Sequence, residues 1–144
     1  MKQAGSQAST MLRFKKEAYH FFRNWLPVFL YCLVIFIQSS HPTPKQVPHL
    51  PHTDKLLHLV AYALLGMLFL RGFGNSKFKT NYWFIRVASI LLTGIYGATD
   101  EWHQYYVPYR SASIWDIIFD FLGGLFGVYI YEVLLERFPK IGRI

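Results

Sequence analysis

Four apolar stretches, separated by polar segments, set the pattern of this sequence. They run over Trp25–Ile37, Leu56–Leu70, Trp83–Thr99 and Ile114–Leu135. A helix needs about 20 apolar residues to cross the hydrocarbon core of a bilayer. The first stretch is short, but Phe21 and Phe22 can lengthen it at one end and residues 38–40 at the other. The pattern therefore predicts an all-α membrane protein, a bundle of about four transmembrane helices.

The segments between the apolar stretches carry the signals of loops and helix ends. His41–Thr53 contains four prolines and is expected to be an extended or turn-rich loop. Gly72, Gly74 and Asn75 are expected to end the second helix. Aromatic side chains that fit the interfacial belts of membrane proteins occur at Tyr82, Trp83, Trp115, Tyr129 and Tyr131.

These signals also divide the chain. We expect residues 1–20 to form a flexible, basic, cytoplasmic N-terminal segment, residues 21–138 a four-helix membrane domain, and residues 139–144 a cytoplasmic tail. No small-residue cleavage site follows the first apolar stretch, which is therefore interpreted as a helix and not as a secretion signal.

The composition agrees with a membrane protein. Of the 144 residues, 53% are hydrophobic and 16% are charged, whereas soluble domains average about a quarter charged. Cys32 is the single cysteine, which excludes an intrachain disulfide and a cysteine-based zinc site.

The basic residues predict the orientation. The net charge of +7 alone would allow nucleic-acid binding, but the basic residues lie in short blocks between apolar stretches, so nucleic acid is not an expected partner. Of the 15 lysines and arginines, Lys45, Lys55 and Arg110 fall on one predicted side and the other 12 on the opposite side. The positive-inside rule then places both termini in the cytoplasm. A three-span arrangement, with the first stretch lying in the interface, would separate the termini.

Most of the other polar groups lie on the predicted outer side. They include five of the eight carboxylates, Asp54, Asp100, Glu101, Asp116 and Asp120, and five of the six histidines, His41, His49, His52, His58 and His103. Ionisable residues within membrane segments are costly and are usually functional or paired. We interpret His41, His49 and His52, which lack helical spacing, as a solvated loop, with a low-affinity metal-binding tract as the alternative.

Helical spacing gathers the remaining polar residues. Asp54, His58 and Tyr62 are four residues apart, as are Asp116 and Asp120, and residues at this spacing share a helix face. Asp100, Glu101 and Gln104 form one broad face of the third helix. Small residues that permit close helix contact follow the same rows, at Gly66, Gly97, Gly123, Gly124 and Gly127. The spacing predicts one outward-facing polar pocket, with Arg110 able to reach over it.

The pocket suggests several kinds of chemistry. Glu101 or Asp100 is a candidate base and His103 a candidate acid or metal ligand, with His58 as a further catalytic candidate. Lys55 and Arg110 are candidates for binding a phosphate. The remaining substrate-binding candidates are Tyr62, Gln104 and Asp54, and a divalent cation would be held by Asp116 and Asp120.

Each of these interpretations has a structural alternative. The carboxylates and His103 can equally form a network that joins the third and fourth helices. Lys55 and Arg110 can serve as ion-pair partners of Asp54, Asp100 or Asp116. In particular, Arg110 can pair with Asp116 when no ligand is bound.

The polar elements together resemble the VanZ-like family of bacterial membrane proteins. The resemblance rests on D-K-L-L-H at residues 54–58, Tyr62, D-E-W-H-Q at residues 100–104, Arg110, and Asp116 ahead of Gly123 and Gly127. It spans roughly residues 25–135 and implies a multi-pass protein of the bacterial cytoplasmic membrane. Its namesake is associated with teicoplanin resistance. The family often has Asn at the position of Asp120, so this chain carries an additional carboxylate there.

The sequence leaves the function open between an enzyme and a binding protein. The first hypothesis is headgroup hydrolysis or transfer on a membrane lipid or lipid-linked envelope precursor. The second is a non-catalytic binding or assembly protein whose polar network binds a ligand or joins the helices. A transporter is disfavoured because the inner halves of the helices carry few matching polar residues. A homo-oligomer is compatible with so small a bundle.

Overall fold

A computed structural model describes residues 2–41, 53–75, 81–108, 110 and 112–139. These residues form four α-helices and no strand, which confirms the all-helical prediction. The helices are α1 (Lys2–Ser39), α2 (Thr53–Gly74), α3 (Tyr82–Tyr105) and α4 (Ile114–Arg137). The predictions for Lys45, His49, His52 and the tail beyond Pro139 fall outside the described residues.

Within the described residues, three helices are long and apolar enough to cross a membrane. These segments are Thr10–Ser39, Asp54–Gly74 and Ile114–Arg137. The third helix, α3, is not among them. It carries Arg86 near its start and the Asp100–Glu101 pair near its end, and these charges interrupt its apolar sequence. A fourth span therefore stays a prediction.

The first helix begins much earlier than the apolar pattern indicated. It starts at Lys2 instead of near Phe21, so the segment interpreted as a flexible N-terminus is helical. Its 38 residues would measure about 57 Å at the usual rise of an α-helix. Residues 2–20 contain no proline and only one glycine, Gly5, so nothing in the local sequence stops the helix from continuing. Polarity alone predicted a boundary that the backbone does not require.

Side-chain caps fix the starts of the last two helices. The side chain of Asn81 accepts a hydrogen bond from the backbone N–H of Trp83, and that of Ser113 accepts one from Trp115. Asn and Ser are favoured at this position because they satisfy N–H groups that the helix leaves without a partner. Ser113 thereby sets where α4 begins, directly before the polar row of Asp116 and Asp120.

Glycines bring α2 and α4 into close contact. A Cβ added to Gly66 would lie 2.7 Å from the carbonyl oxygen of Gly124, and one added to Gly123 would lie 2.6 Å from that of Leu59. A Cβ on Gly127 would collide with the carbonyl of Ala63. The predicted row of small residues is therefore a backbone contact between these two helices, as the small-xxx-small pattern suggests.

Two apolar clusters fill the remaining space. One joins α1 to α2 through buried Val28, Ile35, Tyr62, Leu65 and Phe69. The other joins α2, α3 and α4 through Leu70, Ile85, Val128 and Tyr131. Many large apolar side chains of α1 and α4 face outward instead, among them Phe29 and Phe126. In a membrane protein, lipid covers such side chains.

Candidate functional site

The candidate site lies where four helix ends meet, which we call the polar end of the bundle. It is built from the last turn of α1, the first turns of α2 and α4, and the last turns of α3. Side-chain contacts between these turns include Ser39 with Asp100, Lys55 with Asp116, and His58 with Asp120. The predicted convergence of three polar rows is therefore present, and α1 adds a fourth element.

The centre of the polar end is a group of three side chains, His58, Glu101 and Asp120, which we call the His58 cluster. His58 Nδ1 lies 2.8 Å from Asp120 Oδ1, and His58 Nε2 lies 3.9 Å from Glu101 Oε1. Glu101 is 3% exposed and Asp120 is fully buried. Each residue comes from a different helix, so the cluster exists only when α2, α3 and α4 are packed together.

Two carboxylate oxygens of the His58 cluster have no hydrogen-bond partner. They are Glu101 Oε1 and Asp120 Oδ2, and both are buried. The second oxygen of Glu101 accepts the backbone N–H of Ser113 at 3.0 Å, and that of Asp120 faces His58. A buried polar atom without a partner is costly and calls for an explanation. Both atoms therefore have acceptor capacity that the described residues do not fill.

Gly97 makes room for the buried carboxylate of Asp120. A Cβ at position 97 would lie 2.5 Å from Asp120 Oδ2 and 2.6 Å from Asp120 Cβ. No side chain larger than hydrogen fits there without moving Asp120. The sequence showed Gly97 ahead of the polar face of α3, but its contact with α4 is visible only in the fold.

An ion pair lies between the starts of α2 and α4. Lys55 Nζ donates to Asp116 Oδ1 at 2.9 Å. The side chain of Asp116 is 4% exposed and that of Lys55 is 25% exposed. Asp54, one residue earlier on α2, is exposed. The structural alternative considered for Lys55 is thus realised with Asp116.

Asp100 takes part in a separate network with α1. Its Oδ2 accepts a hydrogen bond from Ser39 Oγ at 2.8 Å and another from Gln104 Nε2 at 2.9 Å. Its Oδ1 is buried without a partner, as is the hydroxyl of Tyr62. Ser39 was not singled out in the sequence, because a lone serine at the end of an apolar stretch gives no specific signal.

Arg110 lies against the end of α1 and not against Asp116. Its Nε donates to the carbonyl of His41 and its Nη2 to the carbonyl of Gln38, both at 2.9 Å. The predicted pairing of Arg110 with Asp116 is wrong, because Lys55 occupies that carboxylate. A cation at the carbonyl end of a helix is favoured by the helix dipole, so Arg110 holds α1 to the loop that precedes α4.

His103 points away from the His58 cluster. Its Nε2 lies 3.0 Å from Ser40 Oγ, and its ring packs on Phe36 at 4.6 Å between centroids. Residues two apart on a helix do not share a face, so His103 does not join Glu101. The imidazole that accompanies the carboxylates is that of His58, from α2.

A cavity of about 330 Å³ opens beside these groups, between α1, α2 and α3. Its apolar wall includes Tyr31, Val34, Ile35 and Ala61. Its polar wall is formed by Asp54, His58, Tyr62, Asp100, Gln104 and Arg110. Six of the predicted site residues therefore border one space, which is large enough for a small ligand or part of a lipid.

The two predicted ligands of a divalent cation, Asp116 and Asp120, fall into two different groups of potential metal ligands. Asp116 lies near Asp54 and His58, whereas Asp120 lies near His58 and Glu101. Within each group the donor atoms are within 4.8 Å of one another. His58 belongs to both groups, so it is a more central candidate ligand than either aspartate.

The fold and the site define a small helical membrane protein with a carboxylate-rich polar end. Five carboxylates gather there, those of Asp54, Asp100, Glu101, Asp116 and Asp120. Among the described residues, the lysine and arginine side chains at this end are those of Lys55 and Arg110.

The chain belongs to the VanZ/LLP1 family, whose family model matches residues 3–135. This match confirms the resemblance drawn from the polar motifs, and it covers all four helices apart from their outermost residues. Comparisons with curated proteins and with solved structures gave no match.

Proposed function

We propose that this protein is a multi-pass protein of the bacterial cytoplasmic membrane that acts at its polar end on the headgroup of a membrane lipid or lipid-linked envelope precursor. The observation that carries the proposal is the His58 cluster, with two unpartnered buried oxygens, beside a cavity that has one apolar and one polar wall. Such a cavity suits a molecule with an acyl part and a polar head. The reaction would be headgroup hydrolysis or transfer.

The depth of the site supports a substrate of this class. Asp120 lies six residues after Ile114, the first residue of α4, which corresponds to about 9 Å along the helix. If α4 enters the membrane at its first residue, Asp120 lies within the outer leaflet, and Asp116, one turn earlier, lies nearer the lipid headgroups. A soluble substrate would not need a site at this depth.

The orientation follows from the basic residues. We propose that α3 also crosses the membrane, since its 24 residues are long enough and its polar groups face the other helices. Four crossings place both termini on the same side, and the 12 basic residues of that side identify it as the cytoplasm. The polar end then faces outward, where envelope precursors are used.

The side chains of the His58 cluster would carry the chemistry. His58 borders the cavity, Glu101 lies behind it at 3.9 Å, and Asp120 orients the imidazole through its Nδ1. His103 is replaced by His58 in this role because it faces α1. Arg110 borders the cavity, but two of its donors already bind carbonyls of α1. It would therefore contribute a positive charge near the substrate and not a bidentate contact with it.

A non-catalytic binding or assembly protein is the second candidate. The network of Ser39, Asp100 and Gln104 and the contacts of Arg110 favour it, because these groups join α1 to the rest of the bundle. In this case the polar end would recognise a lipid, a precursor or an antibiotic without changing it.

Glu101→Gln separates the two candidates. Glutamine keeps the size of the side chain and can still accept from Ser113, but it cannot take a proton or hold a charge. If the protein is an enzyme, we expect activity on lipid-linked precursors in reconstituted vesicles, followed by mass spectrometry of the headgroup, to fall about 100-fold or more. Glu136→Gln, on the exposed end of α4, is the matched control.

The cellular readout is teicoplanin susceptibility of a host that expresses each variant. Unchanged headgroup turnover and unchanged susceptibility in both Glu101→Gln and His58→Ala would rule out the enzymatic proposal. If the headgroups stay unaltered with the wild type and with every variant, but the variants lose the effect on teicoplanin susceptibility, the binding protein would be favoured.

A further inference from the structure

The His58 cluster holds two buried carboxylates without a lysine or arginine partner among the described residues. Glu101 and Asp120 are both at least 97% buried, and the lysine nearest to them, Lys55, is engaged by Asp116. Arg110 is turned toward the carbonyls of α1. Two buried carboxylates with a neutral imidazole would carry a charge of −2, which is too costly to leave without a cation or protons.

Two oxygen atoms of these carboxylates have no hydrogen-bond partner to stabilise a negative charge. These atoms are Glu101 Oε1 and Asp120 Oδ2, whereas the other oxygen of each carboxylate has a partner. His58 Nε2 faces Glu101 Oε1 at 3.9 Å, too far for a hydrogen bond. The two atoms face each other without a hydrogen bond, at a separation that a directly bound ion could bridge.

We propose that the His58 cluster binds one divalent transition-metal ion, with His58 Nε2 and Glu101 Oε1 as ligands. Metal bonds to imidazole and carboxylate measure about 2.0–2.2 Å, so two ligands of one ion can be at most about 4.4 Å apart. The observed separation of 3.9 Å lies within this limit. The proposal deepens the proposed function by adding the cation that would meet a phosphate in the cavity.

Asp120 would position the histidine. A histidine that binds a metal through one nitrogen commonly donates its other N–H to a carboxylate, which fixes the tautomer and the ring orientation. The contact of 2.8 Å between His58 Nδ1 and Asp120 Oδ1 has this arrangement. In this arrangement Asp120 acts through the imidazole and is not itself a ligand of the ion.

The ligand types indicate which ion to expect. An imidazole together with carboxylates suits zinc, iron or manganese better than magnesium, which prefers oxygen ligands and retains its water. Among these ions zinc binds nitrogen and oxygen sites more tightly than manganese or ferrous iron. The two protein ligands leave positions open for water or a substrate oxygen, as catalytic sites do and structural sites do not.

The experiment is a zinc titration of the purified full chain in detergent, after removal of metal by a chelator and without any added lipid. Bound zinc is measured by equilibrium dialysis and mass spectrometry. We expect one tightly bound ion per chain in the wild type. That ion should be lost in both His58→Ala and Glu101→Gln, and Asp120→Asn should weaken zinc affinity roughly 10- to 100-fold, as outer-shell changes do.

Two controls address the other histidines. His103→Ala removes the imidazole that faces α1, and the triple variant His41→Ala, His49→Ala and His52→Ala removes the histidines before α2. Both should keep the bound ion. If the triple variant alone loses it, the ion belongs to that segment and the proposal is overturned.

The wild-type measurement alone can overturn the inference, whatever the variants do to folding. If the wild type binds no zinc, the inference is overturned. A higher melting temperature of Glu101→Gln would then show that protons neutralise the buried carboxylates instead. Because no lipid is present, this result would leave the proposed function untouched. Conversely, a wild type that binds one zinc ion but does not alter any lipid keeps the metal site and removes the enzymatic proposal.

Discussion

Gly97 is the residue on which the shape of the His58 cluster depends most directly. We expect Gly97→Ala to destabilise the protein by about 1–3 kcal/mol, the usual cost of overpacking, because its Cβ would lie 2.5 Å from Asp120 Oδ2. Displacing Asp120 should also break its contact with His58. Thermal unfolding in detergent measures the first effect, and zinc affinity or precursor turnover measures the second.

Gly74→Ala is the matched control, since a Cβ at position 74 meets no atom within 4 Å. Alanine there should leave stability unchanged or raise it slightly, because it favours the helix. Equal melting temperatures for the two alanine variants would show that Asp120 does not pack against α3 as described.

Arg110 allows a second prediction about a single side chain. Its guanidinium donates to two carbonyls at the end of α1, and a lysine cannot reach both acceptors in this geometry. Arg110→Lys should therefore not keep the stability that Arg110→Ala loses. Both variants should lose on the order of 1 kcal/mol of stability. Thermal unfolding of the two variants beside Arg137→Ala, an exposed arginine at the end of α4, tests this.

A phosphate-binding role for Arg110 would give a different pattern. Phosphate or phospholipid binding would fall in Arg110→Ala while its melting temperature stayed at that of the wild type, and Arg110→Lys would keep part of the binding. That combination would contradict the structural role assigned to this side chain.

At the scale of elements, the pairing of α2 with α4 combines a glycine contact with an ion pair. We expect Lys55→Met to cost roughly 3 kcal/mol, because it leaves the buried carboxylate of Asp116 without its cation. Asp116→Asn should cost only about 1 kcal/mol, because Lys55 is partly exposed and can extend its charge into water. Chemical unfolding of the two variants and of the double variant measures both costs and their coupling.

The double variant should be more stable than Lys55→Met alone, since it removes the unpaired charge. Arg13→Met is the control for an ion pair on an exposed surface, because Arg13 and Glu17 have side-chain exposures of 83% and 43%, and such pairs contribute little. Equal losses for Lys55→Met and Asp116→Asn would mean that Asp116 is not buried at this interface.

At the scale of the whole molecule, the prediction concerns how the bundle sits in the membrane. In a Cys32→Ser background, single cysteines at Gln7, Ala112 and Pro139 report three positions. A thiol reagent that does not cross membranes should label Ala112→Cys in intact cells and the other two only after the cells are opened. This follows from four crossings and cytoplasmic termini.

The same labelling tests the number of crossings. If α3 did not cross the membrane, the cysteines at Gln7 and Pro139 would react from opposite sides. Labelling of Ala112→Cys only in opened cells, together with labelling of the cysteines at Gln7 and Pro139 in intact cells, would invert the orientation and place the polar end in the cytoplasm, away from envelope precursors.

The number of helices, the starts of three of them and the identity of the polar residues could be predicted from the sequence. Apolar stretches of sufficient length indicate helices in lipid, and spacing by four residues identifies faces, because both depend on local geometry alone. The apolar stretches placed the starts of α2, α3 and α4 within three residues of their positions in the structure. The start of α1 was not, since a polar segment can be helical without any apolar pattern.

The partners of the polar residues were decided by the tertiary structure. Glu101 and His103 were grouped as one candidate acid–base element, but helix geometry turns His103 toward α1, and the packing of α2 against α3 and α4 brings His58 to Glu101. Likewise Lys55, not Arg110, reaches Asp116. Sequence determined which groups must leave the lipid, because burying a charge in hydrocarbon is costly. Which groups then meet depends on how the glycines set the distance and rotation between helices, and that is a property of the packed bundle.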